Sequence, residues 1–118
     1  MKVIPLKVFQ ETINGKEMFF SYYTLIENAI NQQPQGGIKV DEMSKRLRIL
    51  KALETSKDIF EVSEEMFQKN PQEILSRVGS FELEDSDLTK LKELIKETKW
   101  GLVAYGILEF CEHIEAIK

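Results

Sequence analysis

One cysteine and one histidine are all that 118 residues supply of those two types, and the scarcity removes whole classes of chemistry. A single cysteine forms no internal disulfide and cannot build a zinc site on paired thiolates. Cys111 and His113 stand two positions apart in a segment patterned as a helix. Their side chains then diverge by roughly 200° and share neither a metal ion nor a Cys–His proton transfer. A Ser-His-Asp set would have to use His113, for which the sequence offers no evident partner. Cys111 is expected in the core and His113 at the surface. Glycine is thin as well: its only doublet, Gly36-Gly37, is too short for a phosphate loop, and no Lys-Ser or Lys-Thr follows it. Long apolar runs are missing. The stretch 100–108 is far too short to span a bilayer, and residues 1–6 lack the apolar run of a secretion signal. These absences lead us to expect a soluble, cytoplasmic protein with no membrane contact.

What is present fits one domain, 1–118, with its own core: 42% of residues are apolar and 31% charged. A net charge of -4 argues against a surface devoted to nucleic acid, while leaving room for one basic patch. Carboxylates are abundant, but Glu84, Asp85 and Asp87 stand where a helix N-terminus favours negative charge. Glu109, Glu112 and Glu115 fall on the solvent side of the last helix, and no calcium-loop spacing occurs. No catalytic, cofactor-binding or metal-binding residue is assigned, and no cofactor is expected.

The order of elements follows from local signals. Residues 3–9 alternate around Pro5 as an edge strand, and Asn14-Gly15 is a strong hairpin turn, so residues 6–13 are expected to pair with 17–20. Thr24-Leu25-Ile26-Glu27 fits a capping box opening a helix that ends by Gln33-Pro34. Val40-Asp41 opens a helix over 41–54, with Asp41 as its cap, Met43, Leu47 and Leu50 on one face and Ile49 and Leu53 beside them. Short strands are expected near 59–62 and 81–83, with a Ser63-capped turn and a short helix from Asn70-Pro71 to about Val78-Gly79 between them. A helix over 86–98 buries Leu88, Leu91 and Ile95. After the break at Trp100-Gly101, the final helix carries Val103, Ile107, Phe110, Cys111, Ile114 and Ile117 on one stripe. Gly106 inside it suggests the close approach of another backbone.

Two groups of residues are candidate surfaces. Lys45, Arg46, Arg48 and Lys51 form a basic patch on helix 41–54, where Arg46 alone falls inside the apolar arc and must find a partner for its head. Phe19, Tyr22 and Tyr23 crowd one short stretch, while Leu102 and Leu108 lie off the final stripe. These five form a candidate partner surface, since half-wet aromatics suit interfaces.

The run Phe81-Glu82-Leu83-Glu84-Asp85-Ser86-Asp87, the leucine-rich helix after it, Lys99-Trp100 and the apolar final helix together resemble small proteins encoded by tailed bacteriophages. The segment 40–50 adds to the likeness, which covers about half the chain. The resemblance implies a virion-assembly, accessory or host-directed binding role without enzymatic chemistry, located in host cytoplasm or virion, and it transfers no site residue.

The expected fold is α+β and α-rich: a small N-terminal β-hairpin with four to five helices packed around the C-terminal helix. Its expected core comprises Leu25, Ile26, Ile30, Leu47, Leu50, Leu91, Ile95, Val103, Ile107, Phe110 and Ile114. The expected role is a non-enzymatic protein-interaction component, binding itself as a homo-oligomer or another protein. The alternative is a small nucleic-acid-binding regulator that uses the basic helix 41–54.

Overall fold

The computed structural model describes residues 1–118. Strand β1 (Lys2–Ile13) is long enough to serve two partners in turn. Its second half pairs antiparallel with β2 (Lys16–Ser21), from Val8↔Ser21 to Ile13↔Lys16. Its first half pairs antiparallel with β3 (Val78–Leu83), from Lys2↔Leu83 to Lys7↔Val78. The sheet order is β2-β1-β3. The hairpin closes at Asn14-Gly15, both with positive φ (54° and 77°), as a type I′ turn requires. Ile4, Leu6 and Val8 are buried, giving the two-residue period of a half-covered strand.

A two-residue turn makes Ile13 and Lys16 a hydrogen-bonded pair, so odd-numbered residues of β1 aim their backbone groups toward β2 and even-numbered ones toward β3. Pro5, opposite Ser80, therefore lacks its N–H on the side where β2 has already ended.

Seven helices follow the hairpin or flank β3. The first, α1 (Tyr22–Asn31), is capped by Ser21, whose Oγ accepts from Thr24 N at 3.1 Å. The expected cap at Thr24 is three residues late, because the strand runs straight into the helix with no loop between them. Helix α2 (Val40–Leu53) is likewise capped earlier than expected: Lys39, two residues before Asp41, occupies the cap position and makes no side-chain cap bond. Asp41 instead sits in the first turn with Glu42.

The face of α2 is rotated from the expected one. Arg46, Ile49 and Leu53 are buried, Leu50 is half-buried, and Met43 and Leu47 stand 48% and 54% exposed. Leu47 is thus not a core residue. Arg46 is buried on the same side as Ile49 and Leu53, with its Nη1 against the main-chain carbonyls that end α1.

Residues 59–62 do not form a strand. A 3-10 turn over Glu54–Ser56 leads directly into α3 (Lys57–Phe60). Buried Ser56 donates from Oγ to Ser80 O at 2.7 Å, docking this turn on β3, and Phe60 stacks near Tyr23 at 6.2 Å. The β-prone pair Ile59-Phe60 yields to that tertiary contact. Next come α4 (Glu64–Lys69), capped by Ser63 Oγ, and α5 (Pro71–Leu75). The latter stops before Val78-Gly79, which already belong to β3.

Helix α6 (Asp85–Glu97) buries Leu88, Leu91, Leu94 and Ile95, with acids in its first turn and Lys96 in its last. Helix α7 begins only at Tyr105 (Tyr105–Glu115) and buries Ile107, Phe110 and Ile114. Val103 lies outside it and is 98% exposed, so it too leaves the expected core. One core cluster gathers residues from β1, β3, α1, α2, α3, α5, α6 and α7, with Phe19 and Phe20 of β2 packed against it; α1 supplies six of its side chains. Gly106 admits a side chain and not a backbone: a Cβ there would lie 2.2 Å from Phe9 Cε2. Helix makes up 56% of the residues and strand 20%, an α+β fold that is α-rich. No helix is long and apolar enough to cross a membrane.

Candidate functional site

The four cations of α2 do not act as a group. Arg46 points inward: its Nη1 donates to Ile30 O at 3.0 Å and also to Gln32 O, closing the C-terminal end of α1. That helix has no basic residue in its own last turn, so the arginine supplies the favourable charge from a neighbouring element. The partners are main-chain carbonyls, and Arg46 Nε is buried without one. Arg48 is bound to buried Asp87 of α6 at 3.1 Å, and Glu42 pairs with Lys90 of the same helix. The hydrogen bond from Lys90 holds the Glu42 carboxyl below the usual range. Lys45 and Lys51 are left exposed. Beside them, Val40, Met43 and Leu47 form an outward apolar stripe along a shallow hollow of about 390 Å³.

The aromatic candidates are mostly interior. Tyr22 and Tyr23 are buried, which removes both from the candidate partner surface. Phe19 is half-buried and stacks on Phe67 at 4.3 Å. Phe19, Phe20, Tyr22 and Tyr23, four aromatics in five positions, all find places because the stretch spans a strand end and a helix start, two elements that face the core differently.

Tyr22 also gives His113 a partner that spacing along one helix does not reveal: its hydroxyl lies 2.8 Å from Nδ1. Burial first, then the charges of Glu109 and Cys111, push the phenol up to about 12, so it stays protonated at neutral pH and the tautomer of His113 sets which of the two groups donates. The tautomer with its proton on Nε2 fits this bond and the 3.8 Å approach of Nε2 to Glu109. Cys111 is half-buried, and burial pushes its thiol up, away from the thiolate form. No three side chains among His, Cys, Asp and Glu assemble where a metal ion could be held.

Leu102 and Leu108 are exposed, at 37% and 59%, and they have company. Val103 at 98% and Tyr105 at 88% flank them. All four line one open groove of about 740 Å³ between the hairpin end of β1 and the start of α7. Trp100 and Cys111 line it too and separate it from a second groove of about 550 Å³ between α6 and α7.

A carboxylate builds this corner. Glu11 on β1 accepts from Tyr105 N at 2.8 Å and Gly106 N at 2.7 Å, capping a helix whose own cap residue, Ala104, offers no acceptor. Phe9 fills the space above Gly106. The helix is therefore pinned at Tyr105, and the residues before it are held out in water. The apolar stripe expected to begin at Val103 instead begins after Tyr105, at a start that Glu11 caps.

No protein-family model, no curated protein and no solved structure matches the chain.

Proposed function

We propose that this chain is a non-enzymatic protein-interaction component that docks through the face made by Leu102, Val103, Tyr105 and Leu108. An assembly or accessory protein of the phage type belongs to this class. The observation that carries the reading is the clustering of these four side chains along one groove, with exposures of 37% to 98%. Together they open roughly 500 Å² of mostly apolar surface, toward the upper end of the largest patch on an ordinary monomer, where such patches are often functional. The nucleic-acid alternative has weaker support, because Arg46 and Arg48 spend their donors within the chain.

The test compares the wild type with the double variant Val103→Asp, Tyr105→Asp. Sedimentation velocity over a wide concentration range is run beside capture from a cell lysate. Association, with itself or with another protein, that the variant loses supports the reading. Identical behaviour of the two proteins in both measurements overturns it.

A further inference from the structure

We propose that the cavity beside Arg46 is a binding site for a small polar molecule bearing one carboxylate, of the size of an amino acid or a hydroxy acid. The site shares no lining residue with the Leu102–Leu108 groove and goes beyond the docking role.

The unspent charge of Arg46 is the first reason. Its side chain is 7% exposed, yet it takes part in none of the ion pairs of the chain. Glu42, whose carboxyl feels the Arg46 charge, is bound to Lys90. Nη1 donates to Ile30 O and Gln32 O, while the edge made by Nε and Nη2 makes no hydrogen bond. That edge is the fork that takes a planar carboxylate through two parallel bonds. A buried cation facing only the partial charges of main-chain carbonyls is short of a counter-charge.

The cavity is the second. Arg46 lines a hollow of about 250 Å³ between the residues that follow α1 and the end of α6. That is the volume of roughly eight waters. Its wall is tied together: Gln32 Nε2 donates to Lys99 O at 3.1 Å, and Lys99 N donates to Gln32 Oε1 at 3.2 Å. Only Ala29, Pro34 and Leu94 line it without a polar side chain, so an oily ligand has little to meet.

Charge sets the class. Exposed Lys99 and Glu97 cancel, which leaves the single charge of Arg46. Both α1 and α6 end at the cavity, and the carbonyl ends of helices disfavour a multiply charged anion such as phosphate. One carboxylate matches the one charge, and exposed Gln33 and Gln35 offer amides to the remaining polar groups. Nε is enclosed, so the carboxylate meets Nη2 first and draws the guanidinium round until Nε donates as well.

Nuclear magnetic resonance of the wild-type chain reads the site directly, because the enclosed Nε–H of Arg46 is shielded from exchange with water. Glycolate, L-glutamine and gluconate are titrated at constant ionic strength, with chloride and inorganic phosphate as comparison anions. At least one of the three carboxylates is expected to shift that signal saturably, with a Kd of about 1 mM or tighter, and chloride to leave it in place. Arg46→Lys, which keeps the charge and loses the fork, is expected to weaken binding by about tenfold or more. Gln33→Ala, at an exposed position, is expected to weaken it by about threefold without changing thermal unfolding. No saturable shift with any of the three overturns the proposal, and so does phosphate binding as tightly as the best of them. A signal that Glu97→Gln displaces with no carboxylate added assigns the counter-charge to Glu97 and overturns it too.

Discussion

Helices α2 and α7 each leave apolar side chains in water, but they are anchored in opposite ways. α2 is tied at three points: Arg46 to the end of α1, Arg48 to Asp87, and Glu42 to Lys90. Its exposed stripe of Val40, Met43 and Leu47 is the remainder once the helix has rotated to bury Arg46 and Ile49, and Lys45, Arg48 and Lys51 flank it. α7 is capped at its start by Glu11, and its exposed residues lie in and beside a neutral connector in which Leu102 and Val103 make no backbone hydrogen bond. An apolar stripe on a well-anchored, charge-flanked helix is a by-product of packing. An apolar, uncharged, unpaired segment at a capped helix start is a surface awaiting something.

The sharpest test of that contrast is on α2. Ile49→Ala should cost about 3 kcal/mol and Leu47→Ala under about 0.5 kcal/mol, read as shifts in urea midpoint. Equal effects would mean that the buried face is not the one described. Arg46→Met should cost about 2 kcal/mol, because it strips a charged donor from two carbonyls at the end of α1. Exposed Lys45→Met, as its control, should be neutral.

On α7, Glu11→Ala should cost about 1 kcal/mol by uncapping Tyr105 and Gly106. A loss of helical circular dichroism no larger than that of an exposed-site control would show that the cap is idle.

The smallest effect is confined to alkaline solution. Tyr22 has its pKa raised from 10.0 to about 12, so the folded protein keeps a proton that the unfolded chain releases. Its contribution is whole below about pH 10 and is lost as pH rises toward 12. Tyr22→Phe should flatten part of that decline, and Tyr23, raised by burial as well, should keep the rest. An unchanged alkaline limb would mean that the phenol is not shielded as described.

Local chemistry made much of this readable in advance. The Asn14-Gly15 turn, the Ser63 cap, Pro71 at a helix start and the leucine face of α6 all act over a few residues, and all stand where the sequence put them. What escaped depends on partners distant in the chain. Arg46 meets the carbonyls at the end of α1, an element before it in the chain, and Glu11 caps α7 from about ninety positions away. At the candidate surface, Leu102 and Leu108 were legible as residues off the stripe. Val103 and Tyr105 were not, since their exposure follows from that remote cap.

Pro5 bears on the same contrast. On the flank of β1 that β2 leaves uncovered, the ring removes one donor from the row a stray strand would need, and Lys2 and Lys7 bracket it with charge. Such blunting is how soluble sheets avoid adhering edge to edge. The chain thus spends a proline to keep its sheet from becoming sticky, and a molecule guarded against indiscriminate pairing there can afford an adhesive segment at one other, defined place.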